Sequence, residues 1–128
     1  MTRALRIAYV LLAWLYLAGL VTVAFAAGLG LLVPDSTMDL HIESGYILHL
    51  APILLLLAAW GARVGRPTIW WVIALTVSGL IQPLLPALRE SVPFLAALHP
   101  LNAMVLFYLS FTVAWRSRAF LAEQLATA

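Results

Sequence analysis

The stretch IAYVLLAWLYLAGLVTVAFAAGLGLLV, residues 7–33, decides the fold class. It lies between Arg6 and Asp35 and contains no charged residue. A helix rises about 1.5 Å per residue, so a run of this length crosses the roughly 30 Å hydrocarbon core of a bilayer. Arg3, Arg6 and the sequence AFAA at residues 24–27 also fit a signal peptide, but the apolar run is too long for one. We therefore predict an uncleaved transmembrane helix.

Three further apolar stretches predict three further spans, over residues 40–62, 68–85 and 92–115. Only a few residues connect them, so neighbouring helices must be antiparallel. The prediction is an all-α, up-down-up-down four-helix transmembrane bundle that forms one domain over residues 1–128. Composition agrees, because 65% of the residues are hydrophobic and 9% are charged, against about a half and a quarter in soluble proteins.

The charged residues predict the orientation of the bundle and exclude some functions. Six arginines fall on one side of the predicted membrane, and Arg89 is the only cation on the other. The positive-inside rule then puts both termini in the cytoplasm of a bacterial inner-membrane protein. The arginines occur in scattered pairs and lysine is absent, so no nucleic-acid surface is predicted. The absence of cysteine excludes thiolate metal sites and thioether-linked haem.

Polar residues from all four predicted helices fall at a similar depth in the outer half of the membrane. Counted at 1.5 Å per residue from the inner arginine of each helix, they lie roughly 21–26 Å outward. Polar side chains inside a membrane usually face the bundle interior and mark a functional site. This predicted layer consists of Thr22, His49, Gln82, His99 and Asn102. His41 lies further out, at roughly 33 Å, near Asp39 and Glu43 at the outer mouth.

Small residues stand beside two of these histidines. Gly45 precedes His49 by one helical turn, and Ala96 and Ala103 flank His99 at helical spacing. They predict a hollow that could receive a flat ring. The alternative is that they only let helices pack closely, as small residues do in membranes.

Haem b is the leading functional interpretation of the layer. Its iron accepts imidazoles on both sides of the porphyrin, and the second and fourth helices of a bundle run parallel and lie diagonally. The predicted ligand pair is His49 with His99, whose depths differ by roughly 4.5 Å. His41 is a poorer match to His99, at roughly 7.5 Å, and is retained as a further candidate metal ligand.

Other polar groups receive roles around this haem. Gln82, Asn102 and Thr22 are expected to orient the imidazoles or meet the edge of the ring. Arg89 is expected to pair with a haem propionate, or with Glu43 when no haem is bound. The resulting function is electron transfer near the outer face, with a quinol or a neighbouring redox subunit as partner, in a protein that could form homo- or hetero-oligomers in the lipid bilayer.

Two alternatives remain open from the residues alone. The histidines could be interhelical hydrogen-bonding groups in a structural or assembly subunit that has no catalytic role. The layer could instead bind a quinone or a small metal ion, such as copper held by His41, His99 and Met38. An electron carrier or accessory subunit is favoured over a hydrolase or transferase, because no serine stands as an obvious partner for a histidine.

The motifs carry two resemblances. Histidines on the second and fourth helices with glycine near them resemble the haem-binding four-helix core of membrane b-type cytochromes, which usually offers four histidines where this chain has three. Over nearly its whole length the chain is also similar to a family of small, uncharacterised four-span bacterial membrane proteins. The shared features are His41, GYILHL at residues 45–50, IQP at 81–83 and LHPLNA at 98–103. This second resemblance implies the fold and the importance of these positions, but no activity.

Overall fold

Helices form nearly all of the described chain. The computed structural model describes the backbone of residues 2–126 and the side chains of residues 3–120. Within that range there are seven helices and no strand: α1 (Thr2–Leu32), α2 (Asp39–Leu48), α3 (Ala51–Ala62), α4 (Arg66–Ile81), α5 (Leu84–Ala87), α6 (Pro93–Ala96) and α7 (His99–Ala126). They form four stretches long and apolar enough to cross a membrane: Arg3–Leu32, Asp39–Ala62, Arg66–Ala87 and Pro93–Phe120. The predicted four-helix transmembrane bundle is confirmed.

The first and last helices extend beyond the predicted spans. α1 begins at Thr2 and α7 continues to Ala126, whereas the apolar pattern marked residues 7–33 and 92–115. The pattern reports only the apolar part of a helix. Arginine and alanine, which flank these spans, are good helix formers, so the helices continue into the interfacial region.

The helices pack as a square. α1 lies against α2, α3 and α7, and α4 lies against α3 and α7, so the second and fourth spans occupy opposite corners. At one end, Leu5 packs beside Gly61, Arg6 Nε donates to the carbonyl of Ala62 at 3.4 Å, and the Arg6 guanidinium lies 5.2 Å from the centre of the Phe120 ring. The start of α1 and the ends of α3 and α7 therefore meet. We call this the arginine end, after Arg3, Arg6, Arg63, Arg66, Arg116 and Arg118.

Proline interrupts the second and third spans. In the second, α2 gives way to α3 at His49–Leu50, and Pro52 stands in the first turn of α3. Proline has no N–H to continue the helical hydrogen bonds, which favours a break at this point. In the third, α4 ends at Ile81, and the short helix α5 begins after Pro83. The sequence pattern predicted one unbroken helix over residues 40–62 and another over residues 68–85.

The fourth span is also divided. α6 ends at Ala96 and α7 begins at His99, so Pro100 lies in the first helical turn, where its missing N–H has no cost. The sequence pattern predicted one span over residues 92–115, and the interruption falls at Ala97–Leu98, just before His99.

The tightly packed core occupies the half of the bundle nearer the arginine end. Its largest fully buried apolar side chains are Tyr9, Leu55, Val72, Leu75, Leu106 and Val113. In the opposite half, the helices α2, α5 and α6 contain no buried residue. The two halves therefore differ in packing, and the loosely packed half is the one that contains the histidines.

Close approach of α3 and α4 at Gly79 gives a stability prediction. A Cβ at Gly79 would lie 2.9 Å from Pro52 Cγ and 3.6 Å from Tyr16 Oη. Pro52 is rigid and buried, so we expect Gly79→Ala to destabilise the fold by about 1–3 kcal/mol. Gly28 in α1 is the control, since nothing lies within 4 Å of a Cβ there. Gly28→Ala should stabilise by up to about 1 kcal/mol through helix propensity. Unfolding in detergent micelles compares them, and equal stability of the two variants would contradict the packing.

Candidate functional site

His99 is tied to Gln82 across the interface between the third and fourth spans. In a regular helix the carbonyl of Gln82 would accept from residue 86, but Pro86 has no N–H. The carbonyl instead accepts from His99 Nδ1 at 3.1 Å. Gln82 Nε2 donates to the His99 carbonyl at 3.2 Å and lies 3.4 Å from His99 Nε2. In the neutral imidazole this bond assigns the proton to Nδ1 and leaves the lone pair on Nε2.

Asn102 extends this interface by one turn. Its Nδ2 donates to Gln82 Oε1 at 2.6 Å and to the Ser78 carbonyl at 3.0 Å. Ser78 Oγ donates in return to Asn102 Oδ1 at 2.8 Å. The side chains of Gln82, His99 and Asn102 therefore meet as the depth analysis predicted, and Ser78 joins them.

His41 provides the second histidine that reaches this cluster. Its Nδ1 lies 2.9 Å from the carbonyl of Val23 in α1. A carbonyl only accepts hydrogen bonds, so Nδ1 bears a proton here too, and in the neutral imidazole Nε2 is the acceptor. The His41 and His99 rings lie 6.1 Å apart, centre to centre, and 86° from coplanar. We call His41, Ser78, Gln82, His99 and Asn102 the polar cluster.

The proximity of His41 to His99 corrects the depth estimate, which separated them by about a turn and a half. That estimate counted along continuous helices. The second span is interrupted at His49–Leu50, between His41 and its inner marker Arg63, so the count to His41 does not follow one regular helix. An imidazole also reaches several ångströms from its backbone, so depth along the axis does not fix which rings meet.

His49 lies in the helix break, away from His99. Its Nδ1 contacts the carbonyl of Tyr46 one turn earlier, and its ring packs at 81° against the Tyr46 ring, 6.2 Å away. Among the described side chains no ring contact joins His49 to His99. The structure therefore brings His41, and not the expected His49, to the histidine of the fourth span.

Two residues assigned to the site lie elsewhere. Thr22 is exposed and donates to the carbonyl of Ala18 in its own helix at 3.0 Å, so it is not part of the polar cluster. Arg89 was expected to pair with Glu43 in the absence of haem. It lies instead 3.9 Å from Glu90, its neighbour in the chain, and both side chains are highly exposed. Glu90 follows Arg89 directly in the chain, and this proximity explains why Arg89 lies near Glu90 and not near Glu43.

Gly45 has the open surroundings that the sequence predicted. A Cβ there would have only Val23 Cγ1 as a neighbour, at 4.0 Å. The alternative role of close packing is found at other glycines, such as Gly19, where a Cβ would lie 2.8 Å from Leu48 Cδ1. A side chain at this position, one turn beyond His41 on α2, would therefore meet little of the protein.

Sequence reasoning missed two partners in the polar cluster. Ser78 precedes Gln82 by one helical turn, so helical spacing from Gln82 could have identified it. The Val23 carbonyl leaves no trace in the sequence, because every residue has such an acceptor and only tertiary packing selects one.

The candidate metal ligands in the polar cluster are two imidazoles, those of His41 and His99. Within residues 3–120 no three histidine or acidic side chains come together in a way that could hold a metal ion. The sulfur of Met38, which was considered as a copper ligand, packs over Gly30 of α1, where a Cβ would lie 2.7 Å from it.

Comparisons with known proteins give no relative for this arrangement. Protein-family models, curated proteins and solved structures contain no match to the chain. The chemistry of the polar cluster is therefore the basis for inferring a function for this multi-pass membrane protein.

Proposed function

We propose that the chain is a haem b-binding membrane protein in which His41 and His99 are the axial ligands. One observation carries the proposal: two imidazoles from diagonally placed spans meet at 6.1 Å, and each has its Nδ1 held by a backbone carbonyl. Metal-binding histidines commonly donate their other ring N–H to a carbonyl in this way. The arrangement prepares both Nε2 atoms as metal ligands.

The spacing of the rings fits one shared metal ion. Imidazole nitrogens bind first-row metals at about 2 Å, so an ion held between two of them sets the ring centres about 6 Å apart. Nearly perpendicular imidazole planes are compatible with ligation from opposite faces. The contact of Gln82 Nε2 with His99 Nε2 is long, at 3.4 Å, so this amide could release the nitrogen and keep its bond to the His99 carbonyl.

The number of ligands favours haem over a bare metal ion. A structural zinc site needs four ligands and a catalytic one needs three from the protein. A haem iron needs only two from the protein, because the porphyrin supplies the rest. The polar cluster offers two imidazoles and, among the described side chains, no third metal-ligating group beside them.

The packing around the pair also suits a flat ring. The outer helices α2, α5 and α6 have no buried side chain, and Gly45 is open beside His41. Arg89 is exposed near the same end of the bundle and remains our candidate partner for a propionate. Gln82 and Asn102 would hold the orientation of His99.

A bound haem would supply one-electron transfer at this end of the protein. We place the site at the outer face of a bacterial inner membrane, with both termini in the cytoplasm, because of the positive-inside rule. A quinol or a neighbouring redox subunit would then be the partner, in a homo- or hetero-oligomer. The protein's own contribution is to present the two nitrogens and fix their tautomers.

A second candidate function has its own supporting observation. Gln82, Asn102 and Ser78 satisfy one another across the third and fourth spans without any ligand. This is the pattern expected of hydrogen bonds that join membrane helices. The chain would then be a structural or assembly subunit of a larger membrane complex.

Haem content separates the two candidates. The protein should be expressed in a haem-producing bacterium, purified in mild detergent and assayed by the pyridine haemochrome method. The proposal expects about one haem b per chain and the sharp reduced α-band of low-spin iron. A helical, monodisperse protein that is colourless and takes up no added haem would leave the structural function standing.

The orientation is open to a separate test. A periplasm-active reporter fused to the C-terminus should give no signal, and the same reporter inserted between Asp35 and Asp39 should give a strong one, because six arginines hold the other end in the cytoplasm. The reversed pattern would move the polar cluster to the cytoplasmic face.

A further inference from the structure

The arginine end contains an open cleft with a composition suited to a charged lipid. The cleft has a volume of about 390 Å³ and lies where α3 turns into α4. Arg63 and Arg66 are two of its lining residues, and Trp60 and Trp70 are others. Both tryptophans are largely exposed, at 58% and 65%. Cations and tryptophan together at the end of a membrane span mark the level of the lipid headgroups.

The two guanidinium groups have no partner within the described part of the chain. Neither Arg63 nor Arg66 forms a side-chain hydrogen bond or ion pair there. The acidic residues with described side chains, Asp35, Asp39, Glu43 and Glu90, belong to the segments at the opposite end. Among the residues whose side chains are described, the cleft is therefore a concentration of positive charge without a counter-ion.

The backbone at Arg63 points to a use for its side chain. Arg63 ends α3 in the left-handed conformation, with φ 55° and ψ 50°, and its N–H bonds the carbonyls of Ala59 and Trp60. Glycine usually occupies this position because other residues are strained there. Strain held at one residue is a reason to look for function. The residue in this conformation is a cation that lines the cleft.

We propose that this cleft binds an anionic phospholipid. The phosphate would lie between Arg63 and Arg66, and the acyl chains would run along Trp60 and Trp70. Guanidinium groups match phosphate oxygens in both charge and geometry. The proposal requires only that the spans cross a membrane and that the cleft lies at the arginine end, so it is independent of haem binding.

Quenching of tryptophan by brominated lipids tests the proposal. The protein is reconstituted into phosphatidylcholine vesicles that contain a small fraction of brominated phosphatidylglycerol or, in parallel, of brominated phosphatidylcholine. Phosphatidylglycerol should associate more strongly, by about fivefold for each arginine that it engages. The double variant Trp60→Phe, Trp70→Phe should lose most of this difference, because these indoles would be nearest to the bound lipid.

Charge variants distinguish a site from general surface attraction. Arg63→Gly should keep or raise the thermal stability, since glycine relieves the strain, and should lower the preference for phosphatidylglycerol. Arg66→Gln should lower it as well, and its backbone needs no special conformation. Arg3→Gln is the matched control, because Arg3 is exposed at the same end and outside the cleft. Equal quenching by the two lipids, or an equal loss in Arg3→Gln, would overturn the proposal.

Discussion

Replacing His99 or His41 by alanine is expected to remove the low-spin haem spectrum. Each variant deletes one of the two proposed axial ligands, so the iron would keep at most one protein ligand. The reduced α-band should disappear or give way to a high-spin spectrum, and haem should be lost more readily in detergent. Absorption spectra of oxidised and reduced protein, normalised to protein concentration, measure the change.

His49→Ala is the matched control for these two variants. It removes an imidazole from the same span as His41. This imidazole contacts the Tyr46 carbonyl and lies away from His99. Its spectrum and haem content should stay close to those of the unmodified protein. Loss of the α-band in His49→Ala with retention in His41→Ala would reverse the assignment and restore the depth-based pair.

Asn102→Leu is expected to have the second-largest effect, on stability. Asn102 makes three hydrogen bonds between the third and fourth spans, two to Ser78 and one to Gln82. Leucine branches at the same carbon as asparagine, although it is larger, and it leaves the buried Ser78 hydroxyl without this partner. Interhelical hydrogen bonds in membranes contribute about 0.6 kcal/mol on average and up to about 1.7, so a total loss of about 1–3 kcal/mol is expected in a detergent unfolding experiment.

Thr112→Val provides the comparison for Asn102→Leu. The Thr112 hydroxyl donates only to the Tyr108 carbonyl of its own helix, at 2.9 Å. Removing a bond of this kind should change the stability by no more than about 0.5 kcal/mol. If Asn102→Leu and Thr112→Val lower the free energy of unfolding equally, the hydrogen bonds of Asn102 do not hold the third and fourth spans together.

The architecture could be predicted from the sequence because it follows from one strong physical requirement. A membrane helix must be long and apolar, so hydropathy alone located four spans between short loops. The same reasoning placed Gln82, His99 and Asn102 at one depth, and their hydrogen bonds agree with it. The depth counted from the inner arginine of a span is reliable where the helix between that arginine and the residue has no break.

The histidine pair could not be predicted in the same way. Counting residues treated the second span as one unbroken helix, but the helix is interrupted at His49–Leu50, just before Pro52. The carbonyls of Val23 and Gln82 then select the orientations of His41 and His99. Both effects depend on which backbone groups are free, and this becomes known only when neighbouring helices are in place.

Electron paramagnetic resonance of the oxidised protein tests the central claim most directly. Perpendicular imidazole planes leave two iron d-orbitals nearly equal in energy, which gives a strongly anisotropic low-spin signal. The 86° between the His41 and His99 rings predicts this signal from the purified protein, and predicts its loss in either alanine variant. A protein that contains haem but gives only a high-spin signal, or the rhombic signal of parallel imidazoles, would contradict ligation by His41 and His99.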